Sequence, residues 1–108
     1  MDFDQWQKVD LRVGEIIEVK DFPNARKPAY QLWIDFGPLG VKKSSAQITA
    51  HYSPEDLIGR KIIAVVNFPK KQIANFMSEC LVLGYYNSDN HVILASVSQT
   101  ALLGSPIN

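Results

Sequence analysis

Apolar and polar residues alternate along much of the chain, and a period of two is the signature of strands with one buried face. Leu11, Val13, Ile17 and Val19 share one parity, with Glu15 interrupting the row. Gly14 inside this run predicts a bulge or sharp bend, of the kind that lets small barrels close. Phe22-Pro23-Asn24-Ala25 predicts a loop, because proline and asparagine suit turns. Tyr30, Leu32, Ile34 and Phe36 alternate with Gln31, Trp33 and Asp35 and predict a second strand. Tyr30 has the parity of Leu32 and Ile34 and is expected in the core. Trp33 is expected on the other face, toward a partner subunit or a ligand. Gly37-Pro38-Leu39-Gly40 turns the chain into a polar strand from Val41 to Thr49. Ser53-Pro54-Glu55-Asp56 starts a short helix, with a capping serine, proline at the first position and acids at the positive end of the helix dipole. Gly59 ends it. Ile62–Val66 is unbroken and rich in β-branched residues, the pattern of a buried strand. Phe68–Met77 contains Pro69, Lys70 and Lys71 and predicts a loop. Leu81-Val82-Leu83 predicts another buried strand, Asn87–Asn90 a turn and Val92-Ile93-Leu94 the last strand.

Five or six strands with a helix between the third and fourth is the order of an OB-fold, an all-β, five-stranded Greek-key barrel with one short helix. An SH3-like barrel is the rival. The 108 residues suffice for a single domain, residues 1–108. With 46% hydrophobic and 20% charged residues, a disordered tail and a coiled coil are excluded. The longest apolar run, Ile62–Val66, is far short of the ~20 residues of a membrane helix, so no membrane insertion is expected. Met1-Asp2-Phe3-Asp4 lacks the basic start and apolar stretch of a secretory signal. Cys80 is the one cysteine, which excludes an internal disulfide and a cysteine-rich zinc site and points to a reducing, cytoplasmic setting.

The net charge of zero conceals three blocks. Residues 1–21 carry six acids and three bases, residues 22–71 eight bases and three acids, and residues 72–108 only Glu79 and Asp89. A basic middle could meet RNA or an acidic protein, although paired lysines also sit commonly at strand ends and turns. Catalytic patterns are missing: there is no Gly-rich phosphate loop, and His51 and His91 are 40 residues apart. Cys80 precedes an apolar strand and is expected to be a buried small hydrophobe rather than a nucleophile. Glu55 and Asp56 serve the helix dipole. The chain therefore reads as a binding module and not an enzyme, with no catalytic residue, metal or cofactor expected.

Several stretches together carry a resemblance. Val9-Asp10-Leu11-Arg12-Val13-Gly14-Glu15-Ile16 and Tyr52–Lys61 resemble the opening and the helix of tRNA-binding OB domains, such as those appended to methionyl-tRNA synthetases. Lys43-Ser44-Ser45-Ala46-Gln47-Ile48-Thr49, Val65-Val66-Asn67-Phe68-Pro69 and Ser78-Glu79-Cys80-Leu81-Val82-Leu83-Gly84 resemble a narrower group, the CsaA-type protein-export chaperones. Arg26 and Pro28 look more like the chaperone group than the tRNA-binding one. Glu79 and Leu102-Leu103-Gly104 depart from the patterns of the relatives.

The resemblance implies a homodimer that binds unfolded or export-competent preproteins and the SecA export motor; no nucleotide hydrolysis is expected, because the sequence shows no nucleotide site. Phe3, Trp6, Leu102 and Leu103 are large apolar residues outside the barrel strands and are the expected dimer contacts. For a polypeptide ligand, Pro28, Phe68, Pro69, Ile73 and Phe76 are the candidate apolar contacts. Lys42, Ser44, Gln47 and Ser78 are the candidate polar ones. The alternative is structure-specific tRNA binding, with Asn24, Lys27, Lys42, Lys43, Lys70, Lys71 and Ser78 meeting the RNA.

Overall fold

The computed structural model describes residues 2–107, so Met1 of the expected signal-free start and Asn108 lie outside the described residues. A long strand, β1 (Leu11–Asp21), organises the molecule. Its first part pairs antiparallel with β4 (Lys61–Val65), from Leu11 opposite Val65 to Glu15 opposite Lys61. Its second part pairs with β2 (Tyr30–Asp35), and β2 pairs in turn with β3 (Val41–Ala46). A short β7 (Leu81–Val82) adds to the outer side of β4. The resulting order, β3-β2-β1-β4-β7, makes a five-stranded antiparallel sheet that curls into a nearly closed barrel, an OB-fold.

The gap between the outer strands is bridged by Ser78–Cys80. The Glu79 N–H donates to the Lys43 carbonyl at 2.7 Å, and the Glu79 carboxylate accepts from the Lys43 N–H at 2.9 Å. The Ser45 N–H donates to Ser78 Oγ at 3.3 Å. Glu79 thus supplies both halves of a ladder pair, one of them from its side chain.

α2 (Pro54–Leu57) lies between β3 and β4, where the sequence places it. The Asp56 carboxylate accepts from the Ser53 N–H at 3.0 Å and from its hydroxyl at 2.9 Å, which holds the Asp56 carboxyl below its usual range. Leu57 enters a core with Ile16, Leu32, Ile34, Phe36 and Ile62, all fully buried. Tyr30 joins them as expected. Its hydroxyl donates to the Tyr52 carbonyl at 2.7 Å, and Tyr52 Oη accepts from the Leu94 N–H at 3.0 Å.

Three departures from the sequence pattern have physical reasons. Ile17, not Gly14, is the bulge: Ile16 pairs with Ile34 and Glu18 with Trp33, so Ile17 is the extra residue and is exposed, while Ile16 takes the core position. Gly14 is needed for close approach instead. A Cβ there would sit 2.5 Å from Ile34 Cγ2 and 2.7 Å from the Phe36 ring. The Phe68–Met77 segment is not a loop throughout. It contains a hairpin of β5 (Lys71–Ile73) and β6 (Phe76–Ser78), turned by Ala74 and Asn75. Leu81 is exposed rather than buried, because β7 is an edge strand only two residues long. β8 (Gly84–Tyr86) and β9 (Val92–Leu94) form a second hairpin.

The two ends flank the barrel. α1 (Phe3–Lys8) is capped by Asp2, whose carboxylate accepts from the Gln5 N–H, and buries none of its residues. The C-terminal segment runs along the stretch of β1 that β2 leaves free. The Val13 N–H donates to the Ser105 carbonyl and the Ile107 N–H to the Leu11 carbonyl.

Candidate ligand-binding grooves

Two grooves flank the β5–β6 hairpin. The hairpin is held over the barrel by its own small core, in which Phe76 packs edge-on against Phe22 at 5.4 Å and Trp33 at 5.8 Å, with Ala29 beside them. Trp33 is on the face opposite Leu32, as its parity requires, but it is half-buried beneath the hairpin with the Lys20 ammonium over its ring.

The first groove, about 480 Å³, runs between the end of β3 and the segment from β7 to β9. Phe68, Leu81 and Tyr86 line it and are exposed, at 48%, 47% and 70%. Pro69, Ile73 and Val82 continue its apolar wall, and Gln47 and Ser78 add polar groups. Gln47 follows the last residue of β3, and among the described residues neither its N–H nor its carbonyl has a hydrogen-bond partner. The second groove, about 850 Å³, opens between the loop after β1 and the other side of the hairpin. Arg26, Lys27 and Lys71 line it, with Asn24 and Gln72, and no acidic residue does. Ser45, Gln47, Lys71 and Ile73 line both grooves.

The structure therefore brings together Gln47, Phe68, Pro69, Ile73 and Ser78 from the expected peptide contacts, and Asn24, Lys27 and Lys71 from the expected RNA contacts. Others lie elsewhere. Phe76 is buried and supports the hairpin from beneath, so it has little surface for a ligand. Ser44 is fully buried on the barrel side of β3. Pro28 is exposed, but it and Lys42 line neither groove. Lys43 lays its ammonium 5.0 Å from the Phe76 ring centre, and Lys70 pairs with Glu79 at 3.6 Å. Phe3, Trp6 and Leu102 are exposed, while Leu103 is half-buried with its carbonyl against Gly37.

Arg26, Leu81 and Tyr86 belong to the grooves and were not among the expected contacts. Arg26 was legible as the neighbour of Lys27 and for its likeness to the chaperone group, and Tyr86 as a tyrosine beyond an apolar strand. Nothing in the sequence marks Leu81 as exposed. Cys80 borders the first groove, but burial pushes its thiol up to about 12, and its Sγ donates to the Lys43 carbonyl at 3.7 Å, so it offers no thiolate. His51 is exposed and stacks edge-on against Tyr52. Among the described residues no group of three His, Cys, Asp or Glu is placed to hold a metal ion, and no helix is long and apolar enough to cross a membrane. The two grooves set an apolar channel beside a basic one.

Residues 11–106 match the family described as "Putative tRNA binding domain". Among solved structures, the CsaA chaperone protein from Picrophilus torridus is 51% identical, with a TM-score of 0.94 and 100% of this chain and 99% of that one covered. The chaperone CsaA from Bacillus anthracis is 47% identical, with a TM-score of 0.93 and coverage of 100% and 98%. Among curated sequences, the methionine–tRNA ligase of Methanocaldococcus jannaschii is 31% identical over 107 residues, which is 99% of this chain and 16% of that protein. The chain thus spans about a sixth of the length of that ligase.

Proposed function

We propose that this chain, which belongs to the tRNA-binding-domain family, is a chaperone-like module that holds extended or unfolded polypeptide in the groove walled by Phe68, Leu81 and Tyr86. The single observation that carries this reading is that apolar wall. Three large apolar side chains face one channel beside the free backbone groups of Gln47. Contiguous apolar surface in a concavity marks an interaction site. The likeness to two CsaA chaperones over essentially the whole chain supports it.

In this reading the polypeptide's apolar side chains displace water from the wall, at ~25 cal/mol per Å² buried. No nucleotide is consumed. The chain works as a cytoplasmic homodimer, with Phe3, Trp6 and Leu102 at or near the two-fold interface. Export-competent preproteins and the SecA motor are its partners, as the sequence resemblance implies. A direct test is binding of a labelled, permanently unfolded polypeptide by fluorescence anisotropy. Saturable binding that Phe68→Ala weakens is the expected result, and no binding at micromolar protein contradicts the reading.

A second reading rests on the family and on the second groove. Arg26, Lys27 and Lys71 could meet the phosphates of a tRNA, by shape rather than by sequence. Its mark is a steep fall of affinity with salt, because each phosphate contact releases counterions.

A further inference from the structure

The second groove is a charged feature that the apolar reading leaves unused. Its three cations, Arg26, Lys27 and Lys71, make no ion pair among the described residues, whereas Arg12, Lys20 and Lys70 each do. No acidic side chain lines the groove to offset them. It also adjoins the apolar channel across the hairpin, since Ser45, Gln47, Lys71 and Ile73 belong to both walls. A chain lying along Phe68 and Leu81 and continuing past Ile73 passes from apolar surface into positive potential.

We infer that the recognised polypeptide segment is an apolar stretch directly flanked by acidic residues, the apolar part in the Phe68–Leu81–Tyr86 channel and the carboxylates against Arg26, Lys27 and Lys71. This rests on the polypeptide-binding reading above and adds to it the chemistry of the flank. Carboxylates suit the groove because arginine and lysine are its charged donors and the Asn24 and Gln72 amides add neutral ones. A basic flank at the same place meets like charge and is rejected. RNA is the weaker occupant. The chain has no net charge, and a nucleic acid seated on these cations would leave the adjoining apolar wall uncovered.

The test uses fluorescein-labelled synthetic peptides with one shared neutral apolar core. The core is extended at either end by four glutamates, four serines or four lysines. At low salt the glutamate peptide should bind about tenfold more tightly than the serine peptide, as three exposed charge pairs of a few tenths of a kcal/mol each would give. The lysine peptide should bind more weakly than both. The glutamate preference should fall to about twofold in the double variant Arg26→Ala with Lys27→Ala, which leaves Lys71, and vanish at high salt, with the serine peptide's affinity unchanged. Equal affinity for the glutamate and serine peptides would overturn the acidic flank while leaving polypeptide binding in place. Binding of none of the three would overturn both readings. A single-stranded RNA that binds through Arg26 and Lys27 more tightly than the glutamate peptide would assign the groove to nucleic acid and overturn the inference.

Discussion

Gly14, Phe76 and Cys80 each take their role from what surrounds them. A methyl group at Gly14 would land on Ile34 and Phe36, both fully buried, where no side chain can yield. Gly14→Ala is therefore expected to destabilise the fold by about 3 kcal/mol, read as a drop in the urea midpoint with an unchanged slope. Phe76→Ala should also cost about 3 kcal/mol, because it empties the cluster with Phe22 and Trp33. Phe68→Ala should change stability by less than ~0.5 kcal/mol, since that ring is half exposed, yet weaken polypeptide binding by ~1–3 kcal/mol. The contrast between the two phenylalanines separates a supporting residue from a contact. Cys80 adds a dependence on pH. The folded chain keeps its thiol protonated to about 12, while the unfolded thiol ionises near its ordinary value of 9.0. The unfolded state then sheds a proton that the folded state retains. The stability is intact below pH 9.0 and declines as the pH rises toward 12. The decline is ~1.4 kcal/mol per unit. Cys80→Ala should lack this component, so the stability difference between wild type and variant should change from about pH 9 upward in urea titrations.

The elements that were legible in the sequence are those whose local signals agree with their packing. β2 shows clean alternation, α2 has serine, proline and acids in order, and β4 is an unbroken apolar run after Lys61. The β5–β6 hairpin was illegible because its turn chemistry is unfavourable. Of its two turn residues only Ala74 has positive φ, at 52°, the pattern of a type II′ turn whose first central position prefers glycine. Ala74→Gly is expected to stabilise the hairpin by about 1 kcal/mol, seen as slower amide exchange at Lys71–Ser78. The Ile17 bulge was hidden for a different reason. Ile16 and Ile17 are equally apolar, so only the pairing with β2 decides which of them enters the core. The grooves were partly legible. Phe68, Pro69, Ile73 and the lysines stood out as apolar and basic groups close together in the chain. Their division into two channels could not be read, because it depends on the hairpin that separates them.

For the whole molecule, two sets of exposed apolar groups have different expected uses. Phe3, Trp6 and Leu102, on α1 and the C-terminal segment, are expected to be covered by a second copy of the chain, burying at least ~1,000 Å² in total. Sedimentation should then show a dimer at micromolar concentration, and Trp6→Glu should shift it toward monomer. A wild-type monomer at that concentration would remove the dimer from the account. The groove residues, by contrast, should stay open in the assembly and serve the ligand. The most direct measurement is anisotropy of a labelled, neutral, unfolded apolar polypeptide at low and moderate salt, with wild type and Phe68→Ala, beside a labelled tRNA under the same conditions. Polypeptide binding should change little with salt and weaken about tenfold or more in Phe68→Ala. Tight tRNA binding with a steep salt slope and no response to Phe68→Ala, together with no polypeptide binding, would contradict the account.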